Sequence, residues 1–295
     1  MPEACRLGAV GYLNARPLVY GLEERTDLFD LRYDVPSKCA TLLHAGEIDL
    51  GMIPSIEYLR GPAAYSIVPD LGIVSDGDVA SVALFTRVPL AQVRRIGLDT
   101  SSRTSAGLTR VLCREAWDID PEFETVPPES AARIEGADAA LLIGDPALFL
   151  DHEAAGFTKI DLGAEWARLT GLPFVWAFWA GRPDAIDGAG IEALQHARDE
   201  GVRNTETIAR DFADASPEPT QWAQAGGVAP KPAMRAKAER YLRDNIKYRL
   251  GDREARGLRR YYELAAKHGV ISESRSPAFY PDAVASGSSR KNGER

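Results

Sequence analysis

The chain has 295 residues, 45% of them hydrophobic and 26% charged, which is typical of a globular protein and suggests two domains at about 150 residues each. Its formal net charge of −8 argues against a nucleic-acid partner, and no apolar run approaches the roughly 18 residues of a membrane span. We expect a cytoplasmic protein, because no secretory signal is evident and Cys5, Cys39 and Cys113 lack a disulfide or metal spacing.

Strand and helix patterns alternate through the first part of the chain. The apolar runs at 7–13, 30–35 and 49–53 predict strands, and the segments 17–24 and 36–46 between them predict helices. Pro36 can open the second helix because the missing N–H of proline has no partner in the first turn. The βαβαβ order predicts a parallel sheet.

A second α/β unit follows two further strands. We predict strands at 66–74, 79–87, 95–98, 122–126, 139–143 and 172–180, with a helix that begins within 99–105 and runs through Leu112. Beyond residue 180 the pattern is helical to about 268, and the stretch 232–267 is most simply a solvated helical face. The tail 286–295 is rich in Ser, Gly and charge, which predicts disorder.

The strands at 79–87 and 172–180 lie between the two units, which indicates that one domain is inserted into the other. We predict an α/β fold of two lobes with a cleft at a two-strand hinge. Lobe one comprises residues 1–87 and 174–285, and the inserted lobe two comprises 88–173. Such a body can close on a ligand held in the cleft.

Polar residues follow several of the predicted strands, where open α/β sheets bind ligands. Asn14 ends the first strand, and its amide can both donate and accept hydrogen bonds. The other candidates are Ser55, Ser81, Ser101, Ser102, Arg103, Thr104, Gly144 and Asp145. We expect these residues to face the cleft from both lobes.

The segment 99–105 places hydroxyl groups at a predicted helix start. Free N–H groups and the helix dipole make such a start suitable for a carboxylate or phosphate, and Arg103 would add a charged fork. An equally simple interpretation is that Ser101 or Ser102 only caps the helix.

Signatures of other chemistries do not occur in the sequence. The four histidines are far apart, and there is no phosphate loop, dinucleotide fingerprint or nucleophile elbow. We therefore predict no metal and no cofactor.

Several motifs in the same order resemble the chorismate dehydratase family of the futalosine route to menaquinone. They cover about residues 7–265 and comprise VGYLNARPL (10–18), GEIDLGMIPSIEY (46–58), SVALF (81–85), LDTSSRTS (98–105), LIGDPAL (142–148) and the Trp-rich stretch before Arg182. The resemblance implies a type II periplasmic-binding-protein-like fold. It also implies loss of water from chorismate without a cofactor, giving 3-[(1-carboxyvinyl)oxy]benzoate.

A sister family with the same fold, cyclic dehypoxanthine futalosine synthase (1,4-dihydroxy-6-naphthoate synthase), carries a catalytic His after the strand that here ends at Gly144 and Asp145. His152 lies too far along the chain to fill that position, which favours the dehydratase. A non-catalytic binding protein for a small aromatic carboxylate is the other alternative, but such proteins are exported.

The resemblance leaves the proton acceptor open. Our hypothesis is that the enolpyruvyl carboxylate of the substrate takes the ring proton while Asn14 positions the substrate, with Asp145 as the other candidate catalytic residue. Chorismate is the expected partner. Neither a nucleic acid, a membrane nor an obligate protein partner is indicated.

Overall fold

A computed structural model describes residues 4–99, 101, 103–126, 134, 136–216 and 231–281. Within these residues the strands are β1 (Cys5–Val10), β2 (Phe29–Asp34), β3 (Leu50–Pro54), β4 (Ser66–Ile67), β5 (Ile73–Ser75), β6 (Val82–Thr86), β7 (Arg95–Asp99), β8 (Glu122–Val126), β9 (Ala139–Ile143), β10 (Thr158–Asp161) and β11 (Phe174–Gly181). They form two sheets, as the two-lobe α/β prediction requires.

Helices cover the two sheets. They are α1 (Pro36–His44), α2 (Glu57–Arg60), α3 (Arg103–Glu115), α4 (Gly144–Phe149), α5 (Leu162–Thr170), α6 (Gly188–Arg203), α7 (Thr205–Ala215), α8 (Lys231–Arg240) and α9 (Asp252–Lys267). Short 3₁₀ segments lie at Leu13–Val19, Leu22–Glu24 and Leu90–Gln92, and a π-helical turn lies at Tyr241–Asn245. None of the helices in the described part of the chain has the length and apolarity that crossing a membrane requires.

The first sheet has the strand order β2-β1-β3-β11-β4, with β5 also paired to β11. The strand β1 is parallel to β2 and β3, whereas β11 runs antiparallel to β3. Every residue of β3 and β11 is buried, and α1 and α9 pack against these two strands. Their continuous apolar runs are therefore typical of strands covered on both faces.

The second sheet has the order β10-β6-β9-β7-β8. It contains β6, which lies in the segment 79–87 that we predict as part of lobe one. The strand β6 pairs antiparallel with β9 over its whole length, so it belongs to the second sheet. The chain accordingly passes from the first sheet to the second through residues 76–81, before β6, and returns to the first sheet at β11.

The first crossing between the lobes is held by side chains from lobe two. The Asp161 carboxylate accepts hydrogen bonds from the backbone N–H groups of Val79 at 3.0 Å and Ala80 at 2.7 Å. The ammonium group of Lys159 donates to the carbonyl oxygen of Ala80. These contacts fix the backbone immediately before Ser81.

Three predicted elements have a different form. The helix predicted at 17–24 is two 3₁₀ segments, and the first contains Pro17 and has no side-chain cap. The strand predicted at 66–74 is divided into β4 and β5 around Asp70, which has a positive φ of 59°. The predicted helical run at 232–267 is interrupted by the π-helical turn and by extended residues after it, and the tail 286–295 lies outside the described residues.

Candidate active site

Asn14 lies where the first strand turns into the first 3₁₀ segment. Tyr12 ends the extended backbone, with a ψ of 156°, and Leu13 begins the 3₁₀ segment. The Asn14 Oδ1 atom is buried and has no hydrogen-bond partner among the residues the structure describes. Because buried polar atoms are almost always satisfied, a ligand atom that donates a hydrogen bond fits this position.

Gly144 and Asp145 follow β9 and meet the same turn from lobe two. Gly144 has a φ of +65°, and a Cβ atom there would lie 3.1 Å from the Tyr12 ring. The Asp145 Oδ1 atom accepts a hydrogen bond from the Leu13 N–H at 3.1 Å. Gly144 therefore allows close approach of the lobes, and Asp145 joins them.

The Asp145 carboxyl group has an altered acidity. Burial raises its pKa from 3.8 to about 6, although the hydrogen bond from Leu13 and the charge of Arg16 act in the opposite direction. A carboxyl group with a pKa of about 6 can exchange a proton near neutral pH. The pKa of Asp145 is therefore suitable for a general acid or base.

Ser81 lies beside these residues, at the end of the first crossing. Its hydroxyl oxygen is 2.6 Å from the Tyr241 hydroxyl oxygen, and its carbonyl oxygen accepts a hydrogen bond from the Gly144 N–H at 2.8 Å. Burial raises the pKa of the Tyr241 phenol, and the nearby Asn14 side chain acts in the opposite direction. Asn14, Ser81, Gly144 and Asp145 are thus brought together, and we call them, with Tyr12 and Tyr241, the junction cluster.

The predicted anion site at the start of α3 contains an internal carboxylate. The Asp99 Oδ1 atom accepts hydrogen bonds from Ser101, at 2.7 Å from its backbone N and at 2.6 Å from its hydroxyl. Burial raises the pKa of the neighbouring Tyr12 to about 12, and the Ser101 side chain acts in the opposite direction. The two donors of Ser101 are therefore directed to Asp99 and not to the cleft.

Ser55 and Thr104 contact each other across the lobes. Their hydroxyl oxygens are 3.4 Å apart, and the backbone N–H of Ile56 donates to Thr104 Oγ1 at 3.2 Å. From α9, the Tyr261 hydroxyl donates to the Thr104 carbonyl oxygen and the Tyr262 hydroxyl to that of Ser55, at 2.9 and 2.6 Å. Both residues are buried. Their contact joins lobe one, which contains Ser55, to lobe two, which contains Thr104.

Arg103 contacts two residues of lobe one that do not belong to the junction cluster. Its guanidinium group lies 2.6 Å from the Glu57 carboxylate and donates to the Thr41 hydroxyl at 3.3 Å. The expected role of Arg103 as a carboxylate ligand stays a prediction, and a substrate carboxylate would share its guanidinium group with Glu57. Ser102, the remaining candidate, lies outside the described residues.

Sequence reasoning missed Tyr12, Tyr241 and Asp99. Tyr12 and Asp99 occur inside motifs quoted above, but their residue types did not indicate a role. Tyr241 belongs to the stretch interpreted as a solvated face, yet Ala238, Tyr241 and Leu242 are all buried. Their i, i+3, i+4 spacing is the signal that could have predicted a buried face.

Two relatives are chorismate dehydratases. This chain is 29% identical to the enzyme of Thermus thermophilus over 293 residues, which cover 94% of this chain and 98% of the relative. It is 32% identical to the enzyme of Campylobacter jejuni over 166 residues, which cover 56% of this chain and 58% of the relative.

Solved structures with a similar fold include periplasmic binding proteins. The alkanesulfonate-binding protein of Xanthomonas axonopodis has a TM-score of 0.66 at 17% identity and covers 92% of this chain and 94% of its own. The aliphatic sulphonate-binding protein of Escherichia coli has a TM-score of 0.64 at 18% identity. The match covers 100% of this chain and 96% of that protein. These similarities confirm the periplasmic-binding-protein-like fold.

The sequence profile of one protein family matches residues 5–267, which include both sheets and the whole junction cluster. The chain belongs to the menaquinone biosynthesis family.

Proposed function

We propose that this protein is a chorismate dehydratase. In this reaction the ring of chorismate loses a proton from the carbon beside the enolpyruvyl ether and a hydroxyl group from the neighbouring carbon. The products are water and the aromatic 3-[(1-carboxyvinyl)oxy]benzoate. The two dehydratase relatives and the family support this substrate.

The observation that carries the proposal is the unpartnered, buried Oδ1 atom of Asn14 at the meeting point of both lobes. An amide has no charge that would repel a dianionic substrate, and its oxygen and nitrogen can bind two different substrate groups. Asn14 would position the leaving hydroxyl and the enolpyruvyl carboxylate relative to the ring.

Two groups are candidates for the proton acceptor. In the first proposal the substrate's own enolpyruvyl carboxylate takes the ring proton, since two correctly oriented groups in one bound molecule can gain about 7–11 kcal/mol at best. In the second, Asp145 takes it, and its pKa of about 6 supports that role. We favour the first, because Asp145 already accepts the hydrogen bond of Leu13.

The remaining site residues are candidate substrate ligands. Ser81 lies within the junction cluster and would contact the substrate through its hydroxyl group. Ser55, Ser101, Ser102, Arg103 and Thr104 stay predictions as substrate ligands.

The test is an ultraviolet absorbance trace of the purified protein with chorismate. Growth of a substituted-benzoate spectrum is the expected result, whereas a binding protein would leave chorismate unchanged apart from its slow decay. A different product, identified by mass, would favour chemistry of the sister enzyme.

Variants then separate the two proton acceptors at saturating chorismate. Asn14→Ala should lower turnover strongly. Asn204→Ala is the matched control, because in the described structure the Asn204 amide nitrogen bonds the Glu200 carbonyl and Asn204 is outside the junction cluster. Asp145→Asn should keep measurable turnover. Loss of all turnover in Asp145→Asn with chorismate binding intact would contradict the substrate-assisted mechanism.

A further inference from the structure

Ala80 has a strained backbone conformation at the first crossing between the lobes. Its φ is +62°, in the left-handed region that residues with a Cβ rarely adopt. The Ser81 N–H donates to the Val79 carbonyl oxygen at 2.8 Å and closes a three-residue turn around Ala80. A γ-turn whose central residue has a positive φ is the rare and strained form. Alanine has no polar side chain that could stabilise this conformation by a local hydrogen bond.

Two charged side chains of lobe two hold both polar groups of the Ala80 backbone. The Asp161 Oδ2 atom accepts a hydrogen bond from the Ala80 N–H at 2.7 Å, and the Lys159 ammonium group donates to the Ala80 carbonyl oxygen. The Asp161 Oδ1 atom accepts from the N–H of Val79 at 3.0 Å. We call Asp161 and Lys159 the backbone clamp. A strained conformation persists only where surrounding contacts enforce it, and the backbone clamp supplies such contacts.

The start of α5 lies directly against the crossing. Asp161 is the N-cap of α5, and its Oδ1 atom also accepts from the N–H groups of Gly163 and Ala164, at 2.9 and 3.0 Å. A Cβ atom on Gly163 would lie 2.5 Å from the Gly77 carbonyl oxygen, so glycine allows this close approach. The helix that Asp161 caps therefore fixes the position of its carboxylate.

Ser81 follows the strained turn and belongs to the junction cluster. It is fully buried, its hydroxyl oxygen lies 2.6 Å from that of Tyr241, and its carbonyl oxygen accepts the Gly144 N–H at 2.8 Å. The φ of Ala80 decides the direction in which the chain enters Ser81, so a relaxed Ala80 would move both contacts. Strained backbone is concentrated at active sites, ligand clamps and switch regions.

We propose that Asp161 is a positioning residue, which together with Lys159 holds Ala80 in its strained turn and thereby fixes the Ser81 hydroxyl group in the junction cluster. This inference rests on the proposed function, in which Ser81 contacts the substrate. Asp161 acts on the reaction only through the backbone of residues 79–81.

The test begins with Asp161→Asn, which keeps the shape of the side chain. Oδ1 accepts three N–H groups and Oδ2 one, so the amide oxygen of the variant should take the Oδ1 position, and its NH₂ group should face the Ala80 N–H. The variant thus keeps the cap of α5 and places two donors against each other at Ala80. We expect kcat to fall about 10- to 100-fold, because misplacing a group by about 1 Å can cost about 100-fold, while the KM for chorismate changes less.

Asp187→Asn is the matched control. Asp187 caps α6 by accepting from the Gly190 N–H at 2.9 Å, and it lies outside the backbone clamp and the junction cluster. This variant should keep the wild-type kcat.

A double variant, Asp161→Asn with Ala80→Gly, isolates the effect of the strain. Glycine adopts a positive φ without the cost that a Cβ imposes, so it should keep the turn without the lost contact and recover most of the lost kcat. If Asp161 served only the stability of lobe two, Ala80→Gly would bring no such recovery.

The ¹³Cα and ¹³Cβ signals of Ala80 report on its φ without any substrate. Assigned by their absence in Ala80→Gly, they should shift in Asp161→Asn and stay in place in Asp187→Asn. If Asp161→Asn fails to fold, Lys159→Met, which removes the other contact of the backbone clamp, should shift the same signals. Unchanged Ala80 signals, an equal loss of kcat in both asparagine variants, or no recovery in the double variant would overturn the proposal.

These signals separate this inference from the proposed function. If the wild-type protein does not convert chorismate, the proposed function fails, and the Ala80 signals still decide whether Asp161 holds the turn. If the wild type is active and the signals are unchanged in Asp161→Asn, the inference about Asp161 fails alone.

Discussion

Arg103 of lobe two and Glu57 of lobe one form an ion pair across the cleft, with 2.6 Å between Nη1 and Oε2. The Glu57 side chain is 2% exposed, and it also pairs with Arg60 of its own helix at 3.1 Å. A nearly buried carboxylate needs such partners, because leaving it unpaired is costly. Glu57 is thus held by one arginine from each lobe.

Replacing Arg103 with Gln should loosen the lobes. We expect a loss of about 1.5–3 kcal/mol in the free energy of unfolding, typical of hydrogen bonds to charged groups, and a larger radius of gyration in small-angle X-ray scattering. Arg60→Gln is the control, because Arg60 and Glu57 both belong to α2 and their pair does not join the lobes. An equal expansion in both variants would contradict this assignment.

Replacing Gly144 with Ala should affect both stability and turnover. Because Gly144 has a φ of +65°, a residue with a Cβ there should lower the free energy of unfolding by about 1–2 kcal/mol. The new methyl group would also displace the Tyr12 ring. Gly171→Ala is the matched control, because Gly171 has a φ of +68° and no atom within 4 Å of a Cβ. Both variants should unfold more easily, and only Gly144→Ala should lose kcat.

The pKa of Asp145 predicts a stability that decreases toward alkaline pH. Its pKa is raised to about 6 in the folded protein, so its contribution is fully present below about pH 4, near the pKa of an unfolded Asp, and is lost as pH rises through 6. Asp145→Asn should therefore be more stable than wild type at pH 8 by about 3 kcal/mol. Urea unfolding at pH 4 and pH 8 measures this, and a variant that is less stable at pH 8 would contradict it.

Asp49 should show the opposite dependence on pH. Hydrogen bonds from Arg6 and Arg182 hold the pKa of its carboxyl group well below the usual range. The stabilisation is therefore present above about pH 4 and is lost as pH falls. Asp49→Asn should lower the free energy of unfolding by about 2 kcal/mol at pH 7, and the difference from wild type should shrink in acid. A difference that stays constant with pH would show that the charge of Asp49 is unimportant.

Local patterns in the sequence were sufficient for much of the fold. The continuous apolar runs at β3 and β9 reflect burial on both faces, which single-sequence periodicity detects. Local patterns do not decide which lobe the segment 79–87 joins, because its apolar run is equally suitable for either sheet. Only the pairing of β6 with β9 decides which lobe it joins.

The meeting of Asn14 and Asp145 was predictable, because position after a strand decides it. Both residues follow strands with a parallel neighbour, and Asp145 accepts the hydrogen bond of Leu13, the residue before Asn14. Their roles in the site stay predictions. The pairing of Arg103 with Glu57 joins residues 46 positions apart. Such pairings depend on how the lobes meet, and no local pattern in the sequence encodes that.

Three phenols that contact the candidate site residues come late in the chain. Tyr241 contacts Ser81, Tyr261 contacts the backbone of Thr104, and Tyr262 that of Ser55. During synthesis these phenols leave the ribosome after every group they hold, although domains begin to fold from the N-terminus. A nascent chain can therefore complete both sheets while its cleft is still unsupported, and the site becomes rigid only in the last stage of synthesis.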